Sequence, residues 1–443
     1  MIHGIKGSLL TRQTLAAQGK RRATTGAAAK DPLLAAKRIL FVHQNFPGQF
    51  PHIADGCLAA GYKVAAVAGP TGKNRPGVDV RRWKLGRGST AGIFEPATRA
   101  EADLLRADAA AHLAAQFKAD GFIPDLIIGH PGWGETIHMH EVFPGVPIVL
   151  FGEFFYKSRG ADVGFDLEFE NRTFADDLRS SAKNIGMAGA CSTADVIVCP
   201  TPFQASTHPK AFQPMIRVFH EGVDIAKTAR KSGSLKMPNG TVLDGSTPVI
   251  TFINRNFERL RGFHIFMRAL PTLLQARPDA QVIVIGGDDG KGYGGQLPDG
   301  QTWKNKMLAE VGDHLDLNRI HFTGKVPHPQ MLAALSMSWA HVYYTYPFVL
   351  SWSLVEAMAC ECLILGSDTA PVRDAITSGE EGILNDFFDV DALSRAMIDA
   401  CANPDRYTGL RKAAREKALR LFDRETVGVP KWLALIQELI GPA

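Results

Sequence analysis

Short continuous apolar runs alternate along the chain with longer stretches of helical periodicity. The first run, 38-RILFVHQ-44, is apolar on both faces, as a strand buried in a parallel sheet is. A loop, 45-NFPG-48, follows it, and then a helix to about residue 60. The same order returns at 62-YKVAAVAG-69, 125-DLIIGH-130, 146-VPIVLFGE-153 and 194-ADVIVCPT-201, with helices expected over 99–120 and 171–188. Strands alternating with helices predict a parallel sheet covered on both faces.

The segment 217-RVFHEGVD-224 closes this first series, with Gly222 as a hinge. Residues 228–248 are polar and rich in Gly, Ser and Pro, as a connecting segment is. A second series then opens, with strands at 248-PVITFINR-255, 280-AQVIVIGG-287, 319-RIHFTG-324, 340-AHVYYTY-346 and 362-CLILGS-367. Helices are expected over 262–276, 303–313, 329–338 and 352–359. The pattern predicts two doubly wound α/β halves, 38–222 and 223–429, with an amphipathic helix at 430–441 returning to the first. Ligands of such sheets sit beyond the carboxyl ends of the strands, so two facing sheets predict one cleft.

Composition narrows the picture. The chain has 443 residues, 45% hydrophobic and 21% charged, the mix of a soluble globular protein. Six scattered cysteines form no zinc-ligand spacing and suit a reducing cytoplasm. The net charge of +4 comes from one place: residues 1–37 carry seven basic side chains and a single acid, so the body is slightly acidic. A near-neutral body does not predict nucleic acid as a partner. The 1–37 arm has two readings. It is a solvated, disordered leader, or its Leu9, Leu10 and Leu15 with flanking basic residues make a peripheral contact with anionic lipid.

The chemistry concentrates at 255-RNFERLRGF-263. Arg255 ends a strand, and Arg261 precedes Gly262 at the start of a helix. Two guanidiniums there can meet on one anion, aided by the helix amides. Glu356, among apolar neighbours at the start of a helix, suits the two hydroxyls of a ribose, and Ser351 leaves that helix's entrance open. Gly48 in 46-FPGQF-50 permits close backbone approach to a ligand, yet the loop is no Gly-x-Gly-x-x-Gly fingerprint, which disfavours a dehydrogenase. His130 ends a strand and can bond a sugar hydroxyl or act as a base. Glu153 and Tyr156 end the next strand, where an acid beside aromatic residues suits contacts to a sugar or lipid, though core packing explains the aromatics as well.

These residues together resemble retaining glycosyltransferases of family 4, which have the GT-B fold. The resemblance runs from about 38 to 440 and rests on the crossover 217–224, the Arg255/Arg261–Gly262 pair, 282-VIVIGG-287, 322-FTGKV-326 and 354-LVEAMAC-360. It implies a nucleotide-diphosphate sugar donor and a glycan or lipid-linked acceptor, with Arg255 and Arg261 on the diphosphate. It also implies Glu356 on the ribose, backbone near Lys325 and Val326 on the base, Gly48 and Gly287 close to the donor, the Val349–Leu350–Ser351 backbone beside its sugar, and His130 near the reacting carbon. No cofactor or dedicated metal is expected, since the leaving diphosphate can take the acceptor proton. The implied role is hexosyl or deoxyhexosyl transfer in cell-envelope polysaccharide or glycolipid synthesis, at the inner face of the membrane. One position departs: Phe348 stands where the first glutamate of the family's Glu-x7-Glu motif belongs. That leaves two other readings, a non-catalytic nucleotide-sugar-binding protein and another GT-B enzyme such as an epimerase.

Overall fold

A computed structural model describes residues 36–170, 172–290, 292–294, 297 and 300–443. The basic arm expected over 1–37 lies almost wholly outside them. Residues 36–443 form one compact unit built on two parallel sheets.

The first sheet runs in the order β3-β2-β1-β4-β5-β6-β7. Its strands are β1 (Arg38–His43), β2 (Lys63–Ala68), β3 (Val78–Arg82), β4 (Leu126–Gly129), β5 (Ile148–Phe151), β6 (Val196–Cys199) and β7 (Ile216–Val218). A short antiparallel hairpin, β8 (Leu235–Lys236) with β9 (Val242–Leu243), sits within the polar connecting segment. The second sheet has the order β12-β11-β10-β13-β14-β15. It comprises β10 (Val249–Asn256), β11 (Gln281–Gly287), β12 (Ile320–Gly324), β13 (Ala340–Tyr343), β14 (Leu363–Ser367) and β15 (Gly382–Asn385). Every pairing within the two large sheets is parallel.

The doubly wound α/β architecture is therefore as the apolar runs predict. In each sheet the strand order reverses once, between β1 and β4 and between β10 and β13, and such switch points are where open α/β sheets bind ligands. The strands with weak apolar signal, β3, β7 and β15, are all edge strands, where one side faces solvent.

The single helix expected over 171–188 is two, Phe174–Ala182 and Ile185–Cys191. Thr173 and Asp176 cap the first with a reciprocal pair of hydrogen bonds. The break falls at Asn184, whose side chain accepts from Tyr156 N at 3.0 Å and donates to Tyr156 O at 2.7 Å. An amide engaged with another segment's backbone holds that site better than a continued helix would.

The helix Val429–Ile440 packs on the first half. Trp432 is fully buried there, 5.4 Å from the Phe219 ring and 6.4 Å from those of Phe50 and Phe151. The two chain crossings between the halves meet: a Cβ on Gly222 would stand 2.5 Å from Arg424 Cα. Between β5 and the Phe174–Ala182 helix the chain makes an excursion the sequence does not announce. Residues 157–170 form a strap into the second half, where Ala161, Phe165 and Phe169 join its core. Phe165 packs on Tyr346 and Phe387, and Phe169 on Trp303. Asp166 accepts from the Tyr346 hydroxyl and faces His264, while Glu168 pairs with Arg268. Asp166, Glu168 and His264 are close enough to hold a cation, but the pairing of both carboxylates explains them as a latch.

Candidate functional site

The carboxyl ends of the two sheets face one cavity of about 370 Å³. From the first half come Gly48, Gln49 and Glu153; from the second come Arg255, Glu258 and Arg261, with Val349, Leu350 and Ser351. A smaller cavity continues from it between His130, Glu153, Tyr156, Phe348 and Val349. Most of the expected site residues thus converge. Gly287, Lys325, Val326 and Glu356 line neither cavity. Gly287 lies against the Lys325 side chain, Lys325 reaches Asp289 at 3.0 Å, and the Val326 side chain turns into a separate groove. Glu356 is buried, and its Oε1 accepts from His328 Nε2 at 2.6 Å. That hydrogen bond raises the His328 pKa above its ordinary value.

Arg261 owes its position to the strand ends around it. Through Nη1 it donates to Thr345 Oγ1 and to the Val349 carbonyl, each at 2.9 Å, and to the Tyr343 hydroxyl at 3.4 Å. The same Tyr343 oxygen accepts from Ser351 N at 2.8 Å, so one phenol organises both the arginine and the helix entrance. Anchoring through one nitrogen leaves the rest of the guanidinium fork toward the cavity, and Arg255 is exposed beside it. Ser351 caps the helix Trp352–Ala359, whose free amides and dipole add positive potential at the same wall.

Glu258, which sequence reasoning passed over, is buried at this wall and accepts from Gly294 N at 2.7 Å. Burial pushes its carboxyl upward, and the Gly294 amide, Arg261 and Arg255 partly offset that. Its sequence signal was its place between the two arginines.

Across the cavity a chain of hydrogen bonds fixes the first half. His43 Nδ1 accepts from Asn45 N at 2.9 Å and its Nε2 pairs with Gln49 Oε1 at 2.7 Å. Burial, with nearby His130, lowers the His43 pKa to about 3, so the ring is neutral. Gln49 donates to Glu153 Oε1 at 3.2 Å, and the other Glu153 oxygen lies 3.5 Å from His130 Nε2. Burial alone would raise Glu153, but His130 and Gln49 hold it below its ordinary value. His130 stacks on Trp133 at 4.4 Å, and its Nδ1 accepts from Gly132 N at 3.0 Å. A ring that accepts at Nδ1 carries its proton on Nε2. That proton faces the Glu153 carboxylate. His43, Gln49 and Trp133 carried one sequence clue, polar or aromatic groups just past strand ends.

Phe348 sits in the smaller cavity, 3% exposed, edge-on to Phe154 at 4.8 Å and 5.6 Å from the Arg261 guanidinium. Among the described residues no helix is long and apolar enough to cross a membrane.

Comparison with known proteins bears on the family and the fold. The model of "Glycosyl transferase family 4 group" matches residues 60–228, and that of "Glycosyl transferases group 1" matches 236–417. A phosphatidyl-myo-inositol mannosyltransferase of Mycolicibacterium smegmatis is 25% identical over 236 residues, 47% of this chain and 56% of the relative. The chain spans little more than half the length of the curated relatives it matches. Among solved structures, sucrose-phosphate synthase of Thermosynechococcus elongatus superposes with a TM-score of 0.69 at 16% identity, covering 92% of this chain and all of that one. An Anabaena protein in complex with UDP and glucose superposes at 0.62, with 14% identity over 90% of this chain and all of that one. At these identities the likeness to solved structures is one of fold. With the two glycosyltransferase family models together matching most of the chain, at 60–228 and 236–417, the chain belongs to glycosyltransferase family 4, and its fold is GT-B.

Proposed function

We propose that the chain transfers a sugar from a nucleotide-diphosphate donor to a glycan or lipid-linked acceptor with retention at the anomeric carbon, in cell-envelope polysaccharide or glycolipid synthesis. The carrying observation is the cavity in which Arg261, anchored through Nη1, and Arg255 face the His130–Glu153 wall. In this reading Arg255, Arg261 and the helix amides at Ser351 meet the diphosphate charge, with no metal in the scheme. His130, oriented by Glu153, lies near the donor sugar, and the leaving diphosphate takes the acceptor proton. Gly48, Gly287, Val349 and Leu350 bring backbone close to the donor, backbone near Lys325 and Val326 holds the base, and Glu153 and Tyr156 face the acceptor. Mannosyl transfer by the relatives supports the reaction class, and the UDP and glucose of the Anabaena complex support the donor class. Peripheral contact with the inner face of the cell membrane, through the arm of residues 1–37, belongs to the same reading.

A thermal-shift panel of nucleotides and nucleotide sugars tests the donor. A ligand at ~100 times its dissociation constant stabilises the chain by about 2.7 kcal/mol. Product anomers are then read by NMR. Nucleotide binding without turnover on any donor would instead make the chain a binding protein.

Glu356→Ala is expected to weaken nucleoside diphosphate binding about tenfold, through loss of charge-assisted bonds to the ribose. His328→Ala, which frees Glu356, should not weaken it. Calorimetry that finds the diphosphate unaffected by Glu356→Ala removes the ribose role.

Phe348 gives the sugar subsite an apolar wall. A phenyl ring leaves a facing hydroxyl unpaired at about 1–3 kcal/mol, so a deoxyhexosyl donor is expected to outcompete its hydroxylated counterpart about tenfold. Equal use of the two, unmoved by Phe348→Glu, would show that Phe348 does not set donor choice.

A further inference from the structure

The strap 157–170 closes a second cavity beside the donor cleft. It measures about 280 Å³ and is lined by Asp162, Arg172, Lys183, Arg259, Tyr293 and Tyr346. Strap and helix residues of the first half make one wall, and the 259–260 and 293–294 turns of the second make the other. Tyr293 also lines the donor cavity and the one beside His130, so the spaces adjoin.

Three buried polar atoms of residues on the two walls have no hydrogen-bond partner: Asp162 Oδ1, Arg172 Nε and Arg259 Nη1. Buried polar groups are nearly always paired, and unpaired ones cost stability unless a ligand or water completes them. Two are donors and one is an acceptor, so the missing partner must both accept and donate. The charges say the same. Arg172, Lys183 and Arg259 are balanced by Asp162, Glu170 and Asp176, and Arg259 already lies 3.4 Å from Glu170. A phosphate would satisfy the guanidiniums but stand against Asp162 and Glu170. A hydroxyl suits both kinds of atom, and the volume, just under the ~300–1,000 Å³ of small-molecule pockets, takes one ring rather than a chain.

We propose that this cavity is an acceptor subsite for a neutral sugar ring, whose hydroxyls donate to Asp162 and accept from Arg172 and Arg259. The subsite rests on the glycosyltransferase reading and names its acceptor as a carbohydrate. Because its walls come from both halves, it is complete only with the strap seated.

Saturation-transfer NMR on the full chain, with UDP or GDP present, tests it using methyl α-mannopyranoside, methyl α-glucopyranoside and inorganic phosphate as probes. At least one glycoside is expected to bind. Asp162→Leu, a near-isosteric change at a carboxylate with an unpaired oxygen, should weaken it tenfold or more. Val163→Trp, which fills the cavity, should abolish it, with nucleotide affinity and melting temperature unchanged in both. Binding lost in Val163→Trp alone, with its melting temperature kept, still supports the cavity, since a hydroxyl can find another acceptor there. No glycoside binding to the wild-type chain, binding indifferent to both variants, or displacement of the glycoside by millimolar phosphate overturns the proposal. Glycoside binding is read apart from the nucleotide: a chain that binds neither UDP nor GDP defeats the donor assignment, whereas one that binds nucleotide but no glycoside defeats the subsite alone.

Discussion

Arg261→Ala is expected to lower kcat/KM by about 30- to 1,000-fold, which is about 2–4 kcal/mol of transition-state stabilisation. The loss has two parts. The ligand-facing part of the guanidinium disappears, and with it the bidentate contact to a phosphate whose charge grows as the glycosidic bond breaks. The anchoring part disappears as well, leaving Thr345 Oγ1 and the Val349 carbonyl without their donor and loosening the turn before the Trp352–Ala359 helix. Arg261→Lys separates the two. A lysine keeps the charge but cannot reach the turn and the phosphate with one ammonium, so it should recover only part of the rate. Nucleotide release followed under kcat/KM conditions, with the melting temperature as a folding control, measures both. Rates within threefold of wild type for Arg261→Ala would remove the arginine from the diphosphate site.

The position of that arginine was legible because local and global signals coincide there. A strand end, two guanidiniums and a glycine before a helix describe an anion site in any α/β sheet, and β10 with its following helix carried a strong apolar pattern. The buried central strands were legible for the same reason, being apolar on both faces. The weaker edges were not: 78-VDVRR-82 is half-exposed and carries no apolar run, although β2 pairs with it along five residues. The strap was hidden too. Phe165 and Phe169 lie in a segment rich in Gly, Asp and Glu, and nothing local says that its aromatic residues enter the core of the other half. The same limit applies to Tyr293 and Glu258, which reach the cavity because a turn from one loop is pinned by the carboxylate of another. Such pairings are long-range and leave no period in the sequence. Glu356 shows the opposite case. Its buried, helix-borne carboxylate was readable, but its partner His328, 28 residues away, was not.

Gly48→Ala is expected to cost about 1–3 kcal/mol of stability and to lower transfer by about 10²-fold. Gly48 has φ +51, in the left-handed region that disfavours a side chain. The larger problem is space. A Cβ there would lie 2.3 Å from His43 Cε1 and Nε2, far inside contact distance. His43 has no direction in which to retreat, because Asn45 N and Gln49 hold its two nitrogens and the Phe50 and Trp133 rings pack edge-on at 5.5 and 5.0 Å. The methyl group must therefore displace either the His43 ring or the Gly48 backbone, and both move Gln49. Gln49 is the link to Glu153, which faces His130, so a clash outside the reacting centre shifts the wall that orients the sugar. Removing the ring should relieve the clash: His43→Ala combined with Gly48→Ala is expected to restore most of the melting temperature while leaving transfer low, since the link through Gln49 remains broken. Calorimetry and steady-state rates on the two single variants and the double variant decide it. A Gly48→Ala chain that melts and turns over as wild type does would mean that the His43 ring yields freely and that Gln49 does not depend on it.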